Sequence, residues 1–131
     1  MVESILVVDD VEGVRREVAY LLEDEGYSVA QANNGIAAVN ILNHDKIDLV
    51  ISDILMPDMD GFELCDYIYK NTPSIGVILI SGGGKSYSQL QGSVNGLLEQ
   101  AQVLTHAKIV LKKPFAVDEL LDSVKKVLSE Y

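Results

Sequence analysis

Asp9, Asp10 and Asp53 each follow an apolar run of strand length: Ser4-Ile5-Leu6-Val7-Val8 leads into Asp9-Asp10, and Leu49-Val50-Ile51-Ser52 leads into Asp53. A hydroxyl and a cation follow similar runs, Ser81 after Ile78-Leu79-Ile80, and Lys112-Lys113-Pro114 after Ile109-Val110-Leu111. Carboxylates gathered at one place repel one another unless a hard divalent cation sits among them, and Mg²⁺ suits oxygen ligands that share it with a phosphoryl group. The chemistry these residues point to is phosphoryl transfer.

Such residues must be brought together by the elements that carry them. Short β-branched runs bounded by turn signals read as buried parallel strands, here near Ser4–Val8, Tyr27–Gln31, Leu49–Ser52, Gly76–Ile80 and Lys108–Leu111. Helical spacing places helices near Val14–Glu25, Ile36–Asn43, Phe62–Asn71, Val94–Leu104 and Val117–Ser129. In the first, Val14, Val18, Leu21 and Leu22 share a face and Gly26 is the C-terminal stop; in the last, Val117, Leu120, Leu121, Val124, Val127 and Leu128 form one stripe. Five strand–helix repeats predict an α/β domain, a flavodoxin-like (βα)5 doubly wound parallel sheet of strand order 2-1-3-4-5 with right-handed crossovers. In such a sheet ligands bind beyond the carboxyl ends of the strands, at the switch point beside the first and third.

Four motifs in this order resemble the receiver domain of two-component response regulators over essentially the whole chain: Asp9-Asp10, Asp53-Ile54-Leu55-Met56-Pro57-Asp58-Met59-Asp60-Gly61, Ser81, and Lys113-Pro114-Phe115. The resemblance implies that Asp53 accepts a phosphoryl group from the phosphohistidine of a sensor histidine kinase or phosphotransfer protein. It implies that Mg²⁺ is held by Asp10, Asp53 and the Leu55 carbonyl, with Asp9 acting through water. Ser81 and Lys113 would bond the phosphoryl group and pass its presence to a downstream target or a fused output domain. Neighbouring side chains of an extended segment point to opposite faces, so only one of Lys112 and Lys113 reaches the site, and the family pattern selects the one before proline. Asp9 or Asp10 as a cap of the first helix is the plainer alternative, although one cap would suffice.

Two departures from the family stand out. The position three before Lys113, often aromatic in receivers, is Val110, which rules out an aromatic rotamer switch there. The glycine-rich stretch from Gly82 through Ser88 and on to Ser93 makes the segment before Lys113 long, and Tyr87 within it is a candidate for the output change. The resemblance implies that the side chains two beyond the acceptor and two beyond Ser81 lie near the path of a hydrolysing water; here they are Leu55 and Gly83, which offer no polar side chain to orient it, so a long-lived phosphorylated form is expected.

The 131 residues suit a single domain, 1–131, and 48% hydrophobic content argues against disorder. A formal charge of −10 repels nucleic acid phosphates, and the six scattered tyrosines offer no stacking platform for bases. No apolar stretch approaches the roughly 20 residues needed to span a bilayer. Met1-Val2-Glu3-Ser4 does not read as a secretory leader, and the lone Cys65 cannot form an internal disulfide, so a cytoplasmic location is expected. Cys65, at helical spacing with Gly61, Leu64 and Ile68, reads as a core residue, while His44 and His106 lack metal-ligand spacing.

Two rivals compete with this reading. Gly84-Lys85-Ser86 resembles the end of a nucleotide-binding loop, but the required earlier glycine is replaced by Leu79, and a phosphatase of the haloacid-dehalogenase type would want an aspartate where Leu55 stands. A scaffolding domain of the same fold, never phosphorylated, is the nearer rival, though degenerate receivers usually lose a site residue. The chain is therefore expected to be no enzyme beyond self-phosphotransfer and slow autodephosphorylation.

Overall fold

The structure, a computed structural model, describes residues 2–81 and 107–130. The strands are β1 (Ser4–Val8), β2 (Ser28–Ala32), β3 (Leu49–Asp53), β4 (Gly76–Ser81) and β5 (Ile109–Lys112). The helices are α1 (Glu12–Asp24), α2 (Gly35–His44), α3 (Gly61–Asn71) and, last in the described chain, α4 (Val117–Ser129). The expected helix near Val94–Leu104, the stretch Gly82–Ser93 with Gly83, Gly84-Lys85-Ser86 and Tyr87, and His106 lie outside the described residues.

All strand pairs are parallel and the order is β2-β1-β3-β4-β5, as the alternation of elements predicts. Successive side chains of a strand point to opposite faces. Ile5, Val7, Leu49 and Ile51 therefore join Val18, Leu22, Leu120 and Val124 under α1 and α4. Leu6, Val8 and Val50 join Ala38, Leu42, Leu64 and Cys65 under α2 and α3. Both faces are covered, which is why the strands read as continuous apolar runs rather than as alternating ones.

The first helix starts at Glu12, two residues before the expected start, because Glu12 and Gly13 precede the first apolar position of the helix, Val14. Neither Asp9 nor Asp10 caps it: the cap position is Val11, which has no side-chain capping bond. At the other end Gly26 adopts φ 99°, its N–H donating to Glu23 O at 2.9 Å while Tyr27 N–H donates to Leu22 O at 3.2 Å. This left-handed closure uses Tyr27 to end the helix, so the second strand begins one residue later than expected, at Ser28. Val117 departs from its expected stripe. It opens α4 and is exposed, lining a 440 Å³ hollow with Val14, Leu21 and Phe115.

Candidate functional site

At the carboxyl edge of the sheet, β1 ends in a short connection to α1. Asp9 is only 4% exposed, and its backbone is tied to the neighbouring strand by an N–H bond to Ala32 O at 3.1 Å. Its Oδ1 accepts the Val11 N–H at 2.9 Å, so the carboxylate folds back over the helix entrance. Asp10 is exposed. Arg15, one turn into α1, donates from Nη1 to the Asp9 carbonyl at 3.0 Å and from Nε to Gln31 Oε1 at 3.1 Å.

Asp53 closes β3 beside β1, half-buried. Its Oδ1 accepts the Ile54 N–H at 2.9 Å, a hydrogen that is also directed at Ile80 O at 3.1 Å. The chain then loops out and returns at Gly61, whose N–H donates to Ile54 O at 2.8 Å. A Cβ on Gly61 would run into the Asp53 carbonyl, so only glycine permits the return at this separation. The start of α3 is held by a capping box, Asp60 Oδ1 accepting Glu63 N–H at 2.8 Å and Glu63 Oε1 accepting Asp60 N–H at 3.3 Å. Met59 in the same loop packs against Gly35 at the start of α2, which Asn34 caps by accepting Ala37 N–H at 2.7 Å.

These elements bring one carboxylate oxygen each of Asp9, Asp10 and Asp53 within 4.8 Å of one another. Lys113 Nζ lies 3.9 Å from Asp9 Oδ2. Burial, followed by the charge of Asp9, pushes the Asp53 carboxyl up to about 6, against the opposing pull of Lys113 and the Ile54 N–H. Burial also raises Asp9, with the Val11 N–H, Lys113 and Arg15 opposing and Asp10 adding to the rise. The cluster offers hard oxygen donors crowded enough to resist ionisation by themselves, and a divalent cation among them would favour the ionised form. The donor chemistry fits Mg²⁺.

Ser81, 3% exposed, ends β4 opposite Lys112, one step past the residue that faces Asp53. Lys113 N–H donates to the Ser81 carbonyl at 2.9 Å, joining the ends of β4 and β5 by their backbones. Leu55, 41% exposed, lies on the loop that follows Asp53. Lys112 is exposed, and Val110 is half-buried against the α2–α3 face of the sheet. Cys65 is buried, as its spacing predicts, and His44 lies exposed in the last turn of α2. Sequence reasoning missed Arg15, whose contacts lie on a backbone carbonyl and on a side chain 16 residues away. It also missed the capping box, although the Asp60-x-x-Glu63 spacing announces it.

Among the described residues no helix is long and apolar enough to cross a membrane. The family model described as "Response regulator receiver domain" matches residues 5–125. The chain is 36% identical over 128 residues to sporulation initiation phosphotransferase F of Bacillus subtilis, covering 98% of this chain and 95% of that protein. It is 32% identical to the transcriptional regulatory protein GlrR of Escherichia coli, covering 96% of this chain but only 26% of the longer relative. Among solved structures, the CheY-like receiver domain protein of Methanospirillum hungatei superposes with a TM-score of 0.83 at 28% identity, covering 99% of this chain and 96% of that one. The response regulator TrrA of Thermotoga maritima, solved in complex with Mg²⁺-BeF, gives a TM-score of 0.76 at 34% identity, covering 95% and 98%. With its doubly wound sheet, its acidic cluster at the switch point and these relatives, the chain belongs to the response regulator receiver family, the phosphorylatable domains of two-component signalling.

Proposed function

We propose that residues 1–131 work as one receiver in which Asp53 accepts a phosphoryl group from the phosphohistidine of a sensor histidine kinase or phosphotransfer protein. The observation that carries this reading is the convergence of Asp9, Asp10 and Asp53 within 4.8 Å at the carboxyl ends of β1 and β3, with Lys113 against them. Asp10, Asp53 and the Leu55 carbonyl would hold Mg²⁺, and Asp9 would reach it through water. Bound there, Mg²⁺ supplies the positive charge that neutralises the carboxylates and the transferring group.

An Asp53 carboxylate oxygen forms the new bond to phosphorus as the bond from phosphorus to the imidazole nitrogen breaks, and the electron pair leaves on the imidazole. The Ile54 N–H fixes one Asp53 oxygen and thereby the orientation of the carboxylate. Lys113 brings a cation to the developing charge, and its backbone bond to Ser81 gives the change at phosphorus a route into β4 and β5. A hydroxyl–phosphoryl bond from Ser81 exists only in the modified state, so it biases a conformational equilibrium read by a downstream partner or an attached output domain. No turnover of a separate substrate belongs to this account.

The test uses Mg²⁺ and a small phosphodonor. Wild type gains one acid-labile phosphoryl group and Asp53→Asn gains none; equal labelling of the two overturns the assignment.

A further inference from the structure

We propose that Arg15 is a positioning residue: by clamping the peptide between Asp9 and Asp10 it sets the angle at which those carboxylates face a divalent cation. This rests on reading the acidic cluster as a Mg²⁺ site.

Two adjacent arginines open α1, and they behave differently. Arg16 is 69% exposed and pairs with Glu12 at 2.9 Å, an ordinary surface contact along a helix. Arg15 is 13% exposed and lies 4.0 Å from the same Glu12 carboxylate. Its stronger contacts are the bonds to the Asp9 carbonyl and to Gln31 on β2. That carbonyl belongs to the planar unit joining Asp9 to Asp10, so fixing its oxygen fixes the direction in which the chain enters Asp10. On the other side of Asp9, its N–H is tied to Ala32 O. The peptides flanking Asp9 are thus held from α1 and from β2. Asp10 is exposed, so its carboxylate takes its place chiefly from this backbone.

The charge of Arg15 makes the role testable by sign. A guanidinium beside a cation site repels the cation, so charge alone makes Arg15 a handicap. Its hydrogen bonds run instead to a backbone carbonyl and a neutral amide, which is what a clamp requires. Lysine would keep the charge but not the rigid fork of donors that spans both acceptors.

The experiment is an NMR titration of the full chain with Mg²⁺, comparing wild type with Arg15→Gln, Arg15→Lys and Gln31→Leu. Clamping predicts that both Arg15 variants raise the Mg²⁺ Kd by roughly tenfold, the lower end for loss of groups that orient metal ligands. Gln31→Leu, on an exposed strand position and the milder challenge to folding, raises it by about two- to threefold, since one of two anchors remains. In the metal-free protein the Asp10 and Val11 amide resonances move in all three variants while those of α3 stay in place. Tighter binding by Arg15→Gln with unchanged binding by Arg15→Lys would mean that only charge matters, and unchanged affinity in all three would mean that no clamp operates; either overturns the proposal. Failure of the underlying reading looks different: wild type itself shows no saturable Mg²⁺ binding, or Asp10→Ala binds like wild type.

Discussion

The two edges of the sheet both carry aspartates and both enclose a hollow, yet they use these differently. At the amino edge Asp48 Oδ2 accepts the Ser4 N–H at 2.8 Å, and the Asp48 N–H returns a bond to the Ser4 carbonyl at 2.8 Å. That carboxylate is consumed in fastening the entry of β3 to β1. The adjoining hollow, 650 Å³, is lined by scattered groups including Glu3, Asp45, Lys46 and Thr72. At the carboxyl edge the hollow beside Lys113 is smaller, 440 Å³, but three carboxylates converge and one is pushed up to about 6 by burial and by its neighbours. Cavity size therefore does not mark the chemistry of this fold. Convergence of like charges, held together at an energetic cost, is what sets the carboxyl edge apart and what the proposed chemistry rests on.

The sharpest way to break this comparison is to remove one carboxylate from each edge. Asp10→Ala should lower phosphoryl labelling at limiting Mg²⁺ by about tenfold or more, because it deletes a proposed direct ligand of a hard cation. Asp48→Ala should leave labelling intact while costing about 1 kcal/mol of stability through the lost bond to Ser4. Labelling assays and thermal melts separate the two effects, and equal labelling losses would erase the distinction between the edges.

A smaller effect tests how closely the acceptor loop is packed. Gly61→Ala places a Cβ against the Asp53 carbonyl and within 2.8 Å of Ile54 Cα, backbone that cannot step aside without moving the site. Overpacking of this kind costs about 2 kcal/mol. Urea unfolding should show that loss together with slower labelling, whereas an unchanged midpoint would mean that the loop is looser than its geometry.

The smallest effect follows from the raised Asp53 carboxyl. Its folded value, about 6, lies above the ordinary aspartate value of 3.8, so between these pH values the folded chain keeps a proton that the unfolded chain has released. The contribution of this group to stability is thus fully present below about pH 3.8 and lost as pH rises through about 6. In the absence of divalent cations Asp53→Asn should stabilise the domain at pH 7.5 by on the order of 1 kcal/mol, a figure discounted for the partial exposure of the group, and flatten this part of the pH profile. A variant less stable than wild type at that pH would contradict the electrostatic picture.

The five strands and the doubly wound order were legible because both faces of the sheet are buried, which leaves uninterrupted runs such as Ile5–Val8 and Ile78–Ile80. The places of Asp9, Asp10, Asp53, Ser81 and Lys113 at the carboxyl edge of the sheet were legible for a related reason: each sits where such a run stops. What the chain hid was whatever depends on an approach between distant segments. Arg15 looks like its exposed neighbour Arg16 until β2 brings Gln31 alongside it. Val117 matches the helical stripe but, as the first residue of its helix, is exposed among the described residues. The start of α1 was misplaced because its first two residues, Glu12 and Gly13, are not apolar, and periodicity is silent there.

Mapping the phosphoryl group tests the central claim most directly. After treatment with a small phosphodonor and Mg²⁺, intact mass and peptide analysis of wild type should show a single acid-labile phosphoryl group, on Asp53, that vanishes when Mg²⁺ is chelated beforehand. A phosphoryl group on any other residue, or a full yield without Mg²⁺, would contradict the account.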